Sequence, residues 1–160
     1  MRILAAAGIV ALLSGSAFAQ QPAPTQVPAD KASHMSAADV AAAIAKVAPD
    51  RPNTSIRVFS LAPYNINIER RQPLAQGSSS HEAVAELFFV LEGSGTMLTG
   101  GTIPNATRNG TNLSGKTIEG GTRQLLAKGD WFIVPSGIPH QFVDITSAIS
   151  IMSIHLPNQK

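Results

Sequence analysis

The feature that most constrains this chain is its punctuation. From residue 56 onward apolar side chains recur at every second position, and glycine or proline interrupts each run. A period of two is the signature of strands whose successive side chains face opposite sides. Ile56-Arg57-Val58-Phe59 reads as one strand, and Tyr64 to Arg70 alternates cleanly, predicting one buried and one polar face. Ala85 to Leu91 is an apolar strand ended by Glu92-Gly93-Ser94-Gly95, with Thr96 to Thr99 as its hairpin partner. Arg123 to Leu126, Trp131 to Val134, Gln141 to Val143 and Ile149 to Leu156 complete the set. Many short strands between glycine turns predict an all-β barrel or sandwich rather than a helical bundle.

Residues before this region follow other rules. Arg2, the apolar run Ile3 to Leu13 and the small residues Ser14 to Ala19 have the form of a secretory signal peptide over 1–20, with Gln20 after an Ala-x-Ala-like site. The apolar run is short for a spanning helix, which needs about 20 residues, so export to the periplasm or medium is expected, without stable membrane insertion. A proline-rich flexible leader is expected over 21–35. Ser36-Ala37-Ala38-Asp39 has the form of a capping box, and Ala37 to Val47 predicts one short N-terminal helix, stopped by Pro49. Residues 36–160 then form a single domain, with a long Gly/Thr/Asn-rich stretch at 100–122 that reads equally as a loop or irregular hairpin, a candidate lid or interaction surface, and as a disordered segment.

Composition removes several function classes. The chain has no cysteine, which excludes thiolate ligands, cysteine nucleophiles and redox-active thiols. Loss of Arg2 with the signal peptide leaves 11 Lys+Arg against 10 Asp+Glu, a net charge of +1. A nearly neutral surface without a basic cluster does not suit nucleic acid. No glycine-rich dinucleotide fingerprint follows a strand, and no phosphate-loop lysine motif is present.

The chemistry-bearing candidates are few. Gly129 to His140 runs from a strand through a Pro/Gly turn into His140. His81 and Glu86 lie earlier, and with His140 they offer two imidazoles and a carboxylate, adequate donors for iron, manganese, nickel or zinc. The odd spacing of His81 and Glu86 puts them on one side only if a turn or change of strand falls at Glu82 to Ala85. Glu86 enters an apolar strand, which is costly for a carboxylate without a partner. Glu82 reads as solvent-facing, with an acid/base role as the alternative. Asp144 is a candidate to orient a ligand or to cap a turn. His155, in phase with Ile149, Ile151 and Ser153, reads as a structural histidine, with a cavity-lining role if that face looks inward. Tyr64, Arg57 and Arg123 are candidates for binding an anion. Phe88, Phe89, Trp131, Phe132 and Phe142 read as core or pocket wall.

These segments resemble the two motifs of the cupin family. The first family motif runs glycine, five residues, His-x-His, three or four residues, glutamate, six residues, glycine. His81 matches its second histidine, and Glu86 and Gly93 follow at the right intervals, but Ser79 stands where the first histidine belongs. The second runs glycine, five residues, Pro-x-Gly, two residues, histidine, three residues, asparagine. Gly129, Pro135, Gly137 and His140 match it, with Asp144 in place of the asparagine. The resemblance implies a double-stranded β-helix (jelly-roll) barrel holding a divalent metal through His81, Glu86 and His140. Two readings of Ser79 stay open. Water or substrate completes a His/Glu/His site, or the site is degraded and the cavity binds a small molecule without metal. The first implies a metal-dependent enzyme acting on a small organic molecule, with oxygenase, isomerase, decarboxylase and hydrolytic chemistry undecided. The second implies a non-catalytic small-molecule or metal-binding module. The family's habit of pairing adds a homodimer as a further option.

Overall fold

The computed structural model describes residues 25–158. The expected signal peptide and the first part of the leader lie outside these residues. The elements are β1 (Thr25–Gln26), α1 (Ala37–Ala45), β2 (Asn53–Leu61), β3 (Tyr64–Arg71), β4 (Ser78–His81), β5 (Val84–Glu92), β6 (Ser94–Thr99), β7 (Thr107–Asn109), β8 (Asn112–Gly115), β9 (Thr122–Ala127), β10 (Trp131–Val134), β11 (His140–Val143) and β12 (Ile149–Pro157). They form two six-stranded sheets, ordered β1-β2-β3-β12-β5-β10 and β7-β8-β4-β11-β6-β9. Every pairing is antiparallel except β1 with β2. Successive strands β4, β5 and β6 alternate between the sheets, which is how a jelly roll closes. The all-β barrel with one short N-terminal helix is therefore as expected from sequence.

The motif glycines mark left-handed backbone and, at one of them, a close approach of the chain. Gly93, between β5 and β6, has φ +80°, and a Cβ there would lie 2.7 Å from the Ala148 carbonyl oxygen. Gly137 has φ +77° in the turn that delivers His140. Both conformations favour glycine because other L-residues clash there.

Between the sheets Phe88, Val90, Met97, Leu126, Val134, Phe142, Ile149 and Ile151 form one buried cluster. Phe88 and Phe142 meet edge to face with ring centroids 5.9 Å apart, tying β5 of one sheet to β11 of the other. Phe89 and Trp131 depart from the expected core assignment. They stack at 4.5 Å on the opposite face of β5 and β10, and Trp131 is 62% exposed.

The alternation of β3 places a buried residue on each face, Ile68 on one and Glu69 on the other. Asn67, Glu69 and Arg71 pair in register with Ser153, Ile151 and Ile149, so this polar row shares the inward face of β12. Ile66 and Ile68 pair with Ile154 and Met152 on the outward face. Glu69 accepts a hydrogen bond from Ser153 Oγ at 2.7 Å and pairs with Arg71 at 2.5 Å, so the carboxylate of the inward row is partnered, while Arg71 Nε is left without a hydrogen bond.

The leader is partly held, since Thr25–Gln26 pairs with Phe59–Ser60 at the edge of β2. The capping box of α1 forms with both reciprocal bonds between Ser36 and Asp39, but no residue of the helix is fully buried. Residues 100–122 are an irregular hairpin. β7 pairs with β8, β8 pairs with β4, and a further bridge joins Thr102 to Glu119.

Candidate metal centre

His81 is the last residue of β4 and Glu86 the third of β5, and these strands lie in different sheets. The chain bends at Glu82 and Ala83, which is the change of strand that their odd spacing required. His140 opens β11 and pairs across the sheet with Ser79 of β4. His155 of β12 pairs with Glu86 of β5. Three of the four histidines in the chain thus arrive at one carboxylate from three strands.

Glu86 Oε2 lies 3.2 Å from His140 Nε2 and 3.5 Å from His81 Nε2. Its other oxygen, Oε1, lies 3.3 Å from His155 Nε2. Donor atoms of His81, Glu86 and His140 all fall within 4.8 Å of one another. Glu86 and His140 are buried, with side chains 7% exposed, and His81 is only 18% exposed. Phe88 forms an apolar wall beside them, its ring 6.2 Å from that of His140 and in edge-on contact.

The outer nitrogens of the two imidazoles decide what the inner ones can do. His140 Nδ1 faces the Ile138 carbonyl oxygen at 3.3 Å. His81 Nδ1 faces Asn112 Oδ1 at 2.8 Å. Oxygens of this kind only accept, so both Nδ1 atoms carry the hydrogen and donate. When the imidazoles are neutral, each Nε2 is then left with a lone pair aimed at a carboxylate oxygen. Such an arrangement repels unless a proton or a metal cation lies between them. Burial alone would raise the pKa of Glu86, but hydrogen bonds from His140, His155 and His81 outweigh it and hold the carboxyl well below its usual range. The Glu86 bond chiefly raises the pKa of His81, against the opposing effect of burial.

The spacing suits a metal as well as a proton. Donors held ~2.1 Å from one ion lie ~3.0 Å apart at an octahedral edge and ~3.4 Å apart at a tetrahedral edge. The observed 3.2 and 3.5 Å fall at or near those edges. Two neutral imidazoles fixed in the Nδ1–H form, with an ionised carboxylate, form a donor set that fits a divalent transition metal. The structure therefore supports the metal set named from sequence, without selecting the ion.

The remaining candidates divide. Ser79 sits beside the cluster on β4, in register with His140 and with Ser114 of β8. Glu82 points away, paired with Arg108 through both oxygens at 2.8 and 2.9 Å, which holds its carboxyl below the usual range at the surface. Asp144 is also at the surface, paired with Arg123, and lines a separate cavity of about 240 Å³ with Gln76, Lys116 and Gln141. Arg123 is thus engaged outside the cluster, as is Arg57, which bonds Asn67 and Asn65. Tyr64 is exposed at the start of β3.

Sequence reasoning missed two residues. Asn112 comes from the 100–122 hairpin and fixes the tautomer of His81. Its signal was present only as an asparagine at a turn, a common and unspecific feature. Arg71 is the mostly buried inward cation, its guanidinium 4.6 Å from the centroid of the Phe142 ring. The alternation of β3 contained that signal, but the isoleucine row reads more readily as the buried face.

No family model matches the chain, and no curated protein matches it in sequence. Solved structures do share its architecture. A Bacillus halodurans protein superposes with a TM-score of 0.51 at 14% identity, covering 69% of this chain and 75% of that one. The Schizosaccharomyces pombe Cnp3 cupin domain gives 0.51 at 14% identity, covering 72% and 67%. The cobalt(II) form of HppE in complex with substrate gives 0.50 at 19% identity, covering 69% of this chain and 56% of that one. At such identities the likeness speaks for the fold, and that fold is a cupin-like double-stranded β-helix.

Proposed function

We propose that this chain is a metalloprotein that binds one divalent transition metal through His81 Nε2, Glu86 Oε2 and His140 Nε2 and acts on a small organic molecule. The observation that carries this reading is the pairing of the outer nitrogens. Both imidazoles spend their Nδ1–H on oxygen acceptors and aim Nε2 at the same carboxylate oxygen. A buried arrangement of that kind is unfavourable without a proton or a metal cation between the imidazoles and the carboxylate.

A bound divalent metal would supply Lewis acidity toward a substrate oxygen. Three protein ligands leave coordination positions free for water or substrate, unlike a closed structural site. Phe88 presents an apolar surface beside His140, and His155 lies at the more exposed side of the cluster. HppE, with the same fold, is described with cobalt(II) and a substrate together, which supports a metal-and-small-molecule reading without supplying the reaction. Export through the segment 1–20 is part of the same proposal, and N-terminal sequencing of protein recovered from the periplasm or medium should show its removal.

Metal analysis of protein purified from cells grown with supplied metals tests the reading. The expected result is near-stoichiometric transition metal, lost in His140→Ala. A metal-free wild type that also fails to take up Zn²⁺, Mn²⁺, Fe²⁺ or Ni²⁺ in titration would instead favour the alternative module, which binds a small molecule without metal.

A further inference from the structure

The proposed metal set leaves one imidazole without a role. His155 reaches Glu86 from β12, and its ring centroid lies 5.0 Å from that of His81. Yet it stands outside the group of donors that are mutually within 4.8 Å. It also differs from the other two in the oxygen it addresses. His81 and His140 both face Oε2, whereas His155 Nε2 faces Oε1 at 3.3 Å. Its side chain is 45% exposed, against 18% for His81 and 7% for His140.

We infer that His155 is a positioning residue for Glu86. Its Nε2–H donates to Oε1, so the carboxylate offers a single oxygen, Oε2, to the metal. This rests on the metal reading above and adds to it the denticity of Glu86. A carboxylate free to rotate binds through one or both oxygens, and the two-oxygen mode consumes a coordination position. With Oε1 engaged by His155, that position stays available to water or substrate. The other two imidazoles cannot do this, because their Nδ1–H groups are already engaged and their Nε2 atoms face Oε2. The register explains why β12 supplies the donor. His155 and Glu86 are direct cross-strand partners, so their side chains leave the same face of the sheet side by side. The histidine absent at Ser79 is therefore not replaced as a ligand by His155, and the centre keeps two histidines and one carboxylate.

Full-length mature protein carrying His155→Ala or His155→Gln, titrated with Co²⁺ and Cu²⁺, tests the assignment. Loss of a hydrogen bond to a ligating carboxylate weakens metal binding by about 10- to 100-fold. His155→Ala should show that loss together with a changed cobalt(II) d–d spectrum. His155→Gln restores an N–H donor and should return both toward wild type. Pulsed EPR of the copper(II) form should count two bound imidazoles in the wild type and in both variants. Wild-type affinity and spectrum in His155→Ala would overturn the inference. So would three imidazoles in the wild type falling to two in His155→Ala, which would make His155 a ligand. A wild type that binds neither ion would remove the metal reading itself, a failure visible before any variant is compared. Thermal melts of the metal-stripped variants separate misfolding from a local effect.

Discussion

Replacing Glu86 by glutamine is the sharpest perturbation of the cluster, because it removes one charge and almost no volume. In the metal-free chain the carboxylate is surrounded by three imidazoles at 3.2, 3.3 and 3.5 Å. In the metal-bound protein it is the sole anionic donor of the proposed set. Two unit charges at ~4 Å and an effective dielectric constant of ~20 attract by ~4 kcal/mol, and a dication doubles this to ~8 kcal/mol. Glu86 is buried, so its desolvation offsets several kcal/mol of that attraction. A net of ~3 to 4 kcal/mol remains, or a ~100- to 1,000-fold increase in Kd at 1.4 kcal/mol per decade. Isothermal titration of stripped protein with Zn²⁺ measures it directly, and the fold is checked by the thermal melt of the stripped variant. Binding by Glu86→Gln within about 3-fold of wild type, a difference well under 1 kcal/mol, would refute the claim that this carboxylate holds the ion.

Three further expectations follow from the same geometry. Asn112→Ala should free His81 to adopt the other tautomer and weaken metal binding by about 10-fold, the lower end of the cost for an outer partner of a ligand; equal Kd values would show that the hairpin has no influence on the site. The pKa of His81 is raised in the folded chain, so its contribution to stability is present below pH 6.5 and lost as pH rises through the raised value. That of Glu86 is depressed, so its contribution is present above pH 4.5 and lost only as pH falls through the depressed value. Stripped protein should therefore melt lower at pH 8 than at pH 6, whereas the metal-induced rise in melting temperature should be larger at pH 8, and a pH-independent metal effect would contradict proton–metal competition. Finally, Trp131 and Ile133 stand 62% and 54% exposed on the outward face of β10, next to Phe89 and Leu87 of β5. If the homodimer suggested by the cupin resemblance forms through this apolar sheet face, Trp131→Glu should shift light-scattering mass from two chains to one.

The strands and the metal set were legible in the sequence for local reasons. A period of two, interrupted by glycines at positive φ such as Gly93 and Gly137, leaves few alternatives to short antiparallel strands. The bend at Glu82–Ala83 was implied by the requirement that His81 and Glu86 converge. What could not be read was which side of each strand faces inward. A barrel that encloses a polar site and is covered in part outside buries residues on both sides of a strand, so Glu69 is buried on the inward face of β3 and Ile68 on the outward one. For the same reason Trp131 looked like core and His155 looked structural. Whether His155 faces the site depends on β12 pairing with β5 in a register that contains an irregularity between Ser150 and Ile151. Asn112 depends on a pairing between segments 31 residues apart, which no local pattern encodes.

Anomalous diffraction from a crystal of the zinc-loaded protein, recorded on both sides of the zinc edge, reads the central claim without passing through affinity or activity. A single strong peak should lie ~2.0–2.2 Å from His81 Nε2, Glu86 Oε2 and His140 Nε2 together. A peak elsewhere on the chain, or none at this cluster under saturating zinc, would contradict the account.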